Sequence, residues 1–368
     1  MFRPSRSALA ATALSMAAGA FAMPVAAYAA DTTTSLSATQ MVAELKTVAT
    51  TSTTAGASGW NVNLAATVTL GDAITVSGAY VYDPLHKAIS SRIRVANRLF
   101  ESYAVGGRGL YQNLADPDMR AAVRMMGRPE VKYAFATEPS LNVDTLVNAD
   151  GPAPSVVLTE DVSYAGTKTV HDDGTTDYAY HTADDEAYTI HVGTDGSLAT
   201  IAVADSFMTE TLTYSYGPQV VTVPAASTTI SMTVLERGIR YLHMSQVVKG
   251  VGQEGASRVL RKADGHIVKV ASLRKIVRAE VKADNKIMGM KMIKVKNVSH
   301  GVRLSATNPW THKSISYTVK ASGRKVVVGG RATTAALGSG FPAAVPDQAP
   351  LTVPSSWLDA RLLAASVK

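Results

Sequence analysis

The charge of this chain is split in two, and the split constrains the fold more than any single motif. Residues 31–229 carry 22 Asp+Glu against 11 Lys+Arg, and residues 230–368 carry 7 against 23. The formal net charge of +7 hides both halves. Such asymmetry marks two units that face different partners or that hold each other. An acidic unit at 30–229 and a basic one at 230–331 are expected, each long enough for its own core.

The first residues give the compartment. Arg3 and Arg6 precede an apolar run from Ala8 to Met23, and Ala27-Tyr28-Ala29 is a small-x-small cleavage site. Residues 1–29 therefore read as a secretory signal peptide. The run is short of the roughly 20 residues that a membrane span requires. The chain has no cysteine. It forms no disulfide, and no lipid can be attached to a cysteine at the cleavage site. The expected product is secreted or held in the cell envelope, extracytoplasmic and not lipid-anchored.

Patterning in the acidic unit is mostly that of strands. Ser37 to Val48 has a helical repeat, with Ser37 as cap and Met41, Leu45 and Val48 on one stripe. Trp60 to Leu70 alternates, placing Trp60, Val62, Leu64, Ala66, Val68 and Leu70 on one face. Gly71-Asp72 predicts a hairpin turn, and Ala73 to Tyr82 the returning strand. Ala88 to Val105 continues in strand composition. Asp116-Pro117-Asp118 opens a short helix, Met119 to Met126. Val156–Val162, Tyr178–Thr182, Ala187–Val192, Ser197–Phe207 and Glu210–Tyr216 predict a meander. Its turns are Asp172-Asp173-Gly174, Asp184-Asp185-Glu186 and Thr194-Asp195-Gly196. The first of these acidic turns lacks calcium-loop spacing.

In the basic unit, Ile239–Val248, Ile267–Ala271, Ile276–Lys282, Met288–Val298, Ser314–Lys320 and Arg324–Val328 are read as strands. Ala256–Lys262 is read as a helical turn, and Met292-Ile293 as the place for a bulge. Gly250-Val251-Gly252-Gln253-Glu254-Gly255 matches the dinucleotide fingerprint, but no acidic residue stands at the required distance and no repeated βαβ unit surrounds it. A glycine-rich turn is expected there instead. Ser272-Leu273-Arg274-Lys275 and Ser322-Gly323-Arg324-Lys325 both fit S-x-x-K without its companion motifs. Beyond this unit, 332–368 is read as a Gly/Ala/Pro linker followed by a short helix, Trp357–Ala365.

A family resemblance is carried by Phe100-Glu101-Ser102-Tyr103-Ala104-Val105-Gly106-Gly107-Arg108-Gly109-Leu110-Tyr111, by the helix exit Met126-Gly127-Arg128-Pro129, and by Tyr164-Ala165-Gly166-Thr167-Lys168-Thr169-Val170. It ends on Tyr214-Ser215-Tyr216-Gly217-Pro218-Gln219-Val220-Val221-Thr222-Val223-Pro224. Over about residues 31–229 the chain resembles the actinobacterial LolA-like lipoprotein-carrier fold of the LppX/LprG type. The resemblance implies a mainly β (α+β) fold, with a half-open, curved antiparallel sheet wrapped on short helices. It also implies an apolar concave face able to hold an acyl chain, and no catalysis. A basic β-rich module is expected to follow.

Physical chemistry points the same way. A concave apolar pocket is the usual form of a small-ligand site, and each buried methylene contributes roughly 0.8 kcal/mol. Met41, Leu45, Val62, Leu64, Val68, Met125 and Met126 are the candidate lining residues. The expected ligand is a lipid or another hydrophobic molecule. Lys291, Lys294 and Lys296 are candidates for binding an anionic membrane surface or cell-wall polymer. Aromatics for base stacking are scarce in the basic unit, which argues against dedicated nucleic-acid binding. The eight histidines are scattered, and neither a metal site, a catalytic residue nor a cofactor is indicated.

Overall fold

A computed structural model describes residues 31–331, apart from Gly71, Gly151 and 160–162. The signal peptide, the linker and the C-terminal helix expected from the sequence lie outside the described residues.

The acidic unit begins with β1 (Thr32–Leu36) and α1 (Ala38–Ala55). Ser37 caps α1 in a reciprocal box with Gln40, which satisfies two otherwise orphan N–H groups. The helix runs seven residues past the expected Val48, through Thr50, Thr51, Thr53 and Thr54. These are poor helix formers, and their hydroxyls bond back to carbonyls one turn earlier. Burial of Met41, Leu45, Val48, Ala49 and Ser52 holds the helix instead.

Next come β2 (Trp60–Leu70), β3 (Asp72–Asp83), β4 (Ala88–Val95), β5 (Arg98–Val105), β6 (Gly109–Asn113), α2 (Pro117–Met125) and β7 (Tyr133–Thr137). β2 through β7 form a continuous antiparallel meander. α3 (Val143–Asp150) and the one-turn α4 (Pro154–Val157) precede a second meander. It consists of β8 (Gly166–Val170), β9 (Thr176–His181), β10 (Ala187–Val192), β11 (Leu198–Ala204) and β12 (Met208–Tyr216). The expected strand at Val156–Val162 is not formed: Pro154 starts a helical turn there, Val156 and Val157 lie in it, and 160–162 lie outside the described residues. β12 pairs with β2 and joins the meanders. β13 (Thr229–Ser231) adds in parallel to β7. The result is one curved, unclosed sheet of thirteen strands with β1 and β13 at its edges. Its core lies between one sheet face and α1, α3 and α4, with Met41, Leu45, Val62, Tyr80, Ile89 and Leu198 almost wholly enclosed.

The basic unit departs from its sequence reading. After β13 the chain forms α5 (Met232–Leu242), α6 (Met244–Ala263) and α7 (Val270–Ile287), then a separate antiparallel sheet of β14 (Lys294–Val298), β15 (Gly301–Thr307), β16 (Ser314–Ser322) and β17 (Lys325–Arg331). The expected strands at Ile239–Val248, Ile267–Ala271 and Ile276–Lys282 fall on these helices or the loop before α7, and Met288–Val298 is strand only from Lys294. Met292 and Ile293 form no bulge in a strand. They precede β14 and are buried.

The glycine-rich segment is not a turn but the interior of α6. A Cβ at Gly252 would meet Leu304, Val319 and Val328 at 3.4–3.5 Å, and one at Gly255 would come within 3.1 Å of Val277. Two of its glycines thus let α6 lie close against the small sheet and α7. α5 packs on α2 and shares a small core with it, Leu235 lying with Ala122 and Val123. Gly238 lies against Met126 and Ala122, and His243 Nε2 lies 2.7 Å from an Asp118 carboxylate oxygen.

Candidate functional site

The apolar face of the large sheet is set by period-two alternation. In β12, Met208, Glu210, Leu212, Tyr214 and Tyr216 point inward, between outward Thr209, Thr213 and Ser215. Strand register carries this face across the sheet, aligning Tyr180, Tyr188, Val203, Glu210, Ala66 and Val76 in one row. Tyr164, Tyr180 and Tyr188 stack nearly parallel, with centroids 6.0 and 4.9 Å apart.

Polar pins fix the helices over this face. Glu44 of α1 accepts hydrogen bonds from Lys168 Nζ and from the Tyr178 hydroxyl, both at 2.9 Å. The Lys168 contact is the main reason its carboxyl titrates below the usual range. The Tyr82 hydroxyl donates to Asp144 of α3 at 2.6 Å, and the Tyr214 hydroxyl donates to the Pro152 carbonyl at 3.0 Å. Burial pushes the Tyr80 and Tyr214 phenols far up, with a further contribution from Glu210. Ser52 Oγ donates to the Val48 carbonyl at 2.7 Å and accepts from Leu198 N–H at 2.8 Å, tying α1 to the start of β11.

Five of the seven candidate lining residues come together in the main core. Met41, Leu45, Val62 and Val68 have no accessible surface and Leu64 has 4%. Side chains so enclosed pack against protein. Their partly exposed neighbours include Phe100, Leu110, Leu141, Val156, Val157 and Met208. Met125 and Met126 are separated from the other five, because α2 packs against α5 instead of turning inward. Met126 joins a smaller cluster with Ala122, Val123 and Leu235, and the Met125 sulfur accepts from Asn308 Nδ2 at 3.0 Å. Beside that cluster a cleft of about 310 Å³ is lined by Glu101, Arg120, Arg124, Lys132 and Tyr133, among others.

Glu210 is the inward residue that sequence reading passed over. It is 9% exposed. Its signal was legible, since the Met208–Tyr216 alternation puts a carboxylate on an otherwise apolar or aromatic face.

Lys291, Lys294 and Lys296 are all exposed, Lys291 in the loop before β14 and the other two on that strand. The acids of two hairpin turns serve the turns themselves. Asp173 accepts from Thr175 N–H at 2.8 Å and Asp195 from Ser197 N–H at 2.9 Å. His171 bridges Asp31 and Asp177 at 3.0 Å to each, and His191 lies 2.6 Å from Asp177. Among the described residues no group of three or more His, Cys, Asp or Glu is arranged to hold a metal ion. Among them, too, no helix is long and apolar enough to cross a membrane.

No protein-family model and no curated protein matches the chain. Solved structures similar to it include the Mycobacterium tuberculosis lipoprotein LppX, at 12% identity and a TM-score of 0.28, covering 50% of this chain and 98% of that one. They also include LprF from Mycobacterium bovis, at 11% identity and a TM-score of 0.27, covering 52% of this chain and 99% of that one.

Proposed function

We propose that residues 31–229 form an exported, non-catalytic carrier that holds a lipid or another hydrophobic molecule between the large sheet and the helices over it. One observation carries this reading. The sheet does not close on itself, and its apolar face is only partly covered, leaving Phe100, Leu110, Val157 and Met208 partly exposed beside a fully packed core. An acyl chain lying on these side chains gains roughly 0.8 kcal/mol per buried methylene, without specific polar chemistry. The fully enclosed residues Met41, Leu45, Val62, Leu64 and Val68 act as the floor that shapes the concavity. Glu210 and the stacked tyrosines supply polar groups near it. The absence of cysteine fits a shuttle without a thioether-linked lipid.

Protein purified from its native host should release lipid into organic solvent and show a loaded species in native mass spectrometry. Leu110→Trp adds bulk on the partly covered face and should lower the loaded fraction while far-ultraviolet circular dichroism stays unchanged. Only ligand-free protein from the host, or loading indifferent to Leu110→Trp in a folded variant, would refute the reading.

A further inference from the structure

The small sheet has one face on α6 and α7 and the other in solvent. Register places Lys294 beside Ser305, Lys296 beside Arg303, Arg303 beside Thr318, Lys320 beside Val327, and Ser322 beside Lys325, all on the solvent face. Lys294, Lys296, Arg303, Lys320 and Lys325 are exposed. The sequence from Lys294 to Arg331 contains no Asp or Glu. Among the described residues none of these five cations has a carboxylate partner. Ion pairs of this unit lie instead on α6 and α7, joining Arg258 to Glu254 and Glu280, and Arg261 to Glu254.

From this arrangement we propose that the solvent face of β14–β17 docks on an anionic phospholipid bilayer. Strands lie about 4.8 Å apart, so four of them present the charges on a patch about 14 Å wide. Lys296 and Arg303 stand directly opposite each other, an arrangement that destabilises a free sheet and is relieved by an anionic surface. Val327, on the same face, is 53% exposed. An apolar side chain flanked by Lys320 and Lys325 suits the boundary between headgroups and acyl chains. Lys294, Lys296, Arg303, Lys320, Lys325 and Val327 include no aromatic, which a single-stranded nucleic acid would use for stacking. The proposal stands on this face alone and is independent of the carrier reading.

The test is cosedimentation of the full chain with vesicles of phosphatidylcholine mixed with phosphatidylglycerol, against phosphatidylcholine alone, at low and high salt. Binding is expected only to the anionic vesicles and should fall steeply with salt. The triple variant Lys296→Glu, Arg303→Glu, Lys320→Glu should bind more than about a hundredfold more weakly. A charge-matched control on exposed positions of α7, Lys275→Glu, Lys282→Glu, Lys286→Glu, should retain most of the binding. No binding of the wild type to anionic vesicles would overturn the proposal, and so would equal losses in both triple variants. Binding to soluble polyphosphate but not to vesicles would overturn it too, because the partner would then be a polymer.

Discussion

Alanine substitution at the three glycines of α6 separates a helix interior from the glycine-rich turn that the sequence suggests. Gly in mid-helix costs about 0.5–1 kcal/mol relative to Ala. Gly250 is exposed, and a Cβ there would meet nothing within 4 Å, so Gly250→Ala should gain that amount and no more. At Gly252 the new methyl would sit 3.4–3.5 Å from Leu304, Val319 and Val328, which is ordinary contact. Gly252→Ala should therefore add about 0.8 kcal/mol of burial to the helix gain. At Gly255 the nearest atom is Val277 Cγ2 at 3.1 Å. Val277 has no accessible surface and little room to yield, so Gly255→Ala should come out near neutral. The expected order of stability is Gly252→Ala first, then Gly250→Ala, then Gly255→Ala. At about 2.1 cal/mol/K per residue, roughly 300 folded residues shift by about 1.6 °C per kcal/mol, so the first variant should raise Tm by about 2–3 °C. Differential scanning calorimetry with urea titration reads both quantities. Loss of about 1 kcal/mol or more in Gly250→Ala is what a left-handed glycine in a turn would show, and it would refute the helical account.

Two further predictions concern the large sheet. Ser52→Ala removes the side-chain acceptor of the Leu198 N–H and should cost about 1–3 kcal/mol by urea denaturation; an unchanged midpoint would mean that the Ser52 contact does not tie α1 to β11. His171, hydrogen-bonded to Asp177 and Asp31, titrates above its ordinary value of 6.5. A raised imidazole stabilises docking of β1 fully below 6.5, and that contribution is lost as the pH rises through the raised value. Hydrogen exchange at Thr33–Leu36, corrected for intrinsic base catalysis, should accelerate over that interval. The acceleration should vanish in His171→Gln; its persistence there would refute the assignment.

The large sheet was legible because its strands repeat every two residues between turns that need glycine or a positive φ. Ala187–Val192 is strand as read, and Gly174, Asp185 and Gly196 stand at positive φ in the three predicted turns. The helices of the basic unit were missed for a compositional reason. Ile276-Val277-Arg278-Ala279-Glu280-Val281-Lys282 is rich in β-branched residues between charges, which reads as a wet-faced strand. Yet Leu273, Val277, Glu280 and Val281 are the buried residues of α7, a helical stripe that outweighs propensity once a sheet is there to receive it. Of the candidate lining residues, the alternation in β2 marked Val62, Leu64 and Val68 as inward, and they lie in the main core. No local pattern could tell that Met126 would meet α5 and Met125 Asn308, because both contacts depend on where chain segments more than a hundred residues later are placed.

An unclosed sheet keeps two free edges, and a long apolar strand at either edge would invite another chain to pair with it. Here the central strands β2 and β3 span 11 and 12 residues, whereas β1 has five and β13 three. β13 gives way at once to α5, and β1 is built largely of exposed threonine and serine. The tapering from centre to rim lets the sheet stay unclosed while offering little backbone template for edge-to-edge polymerisation.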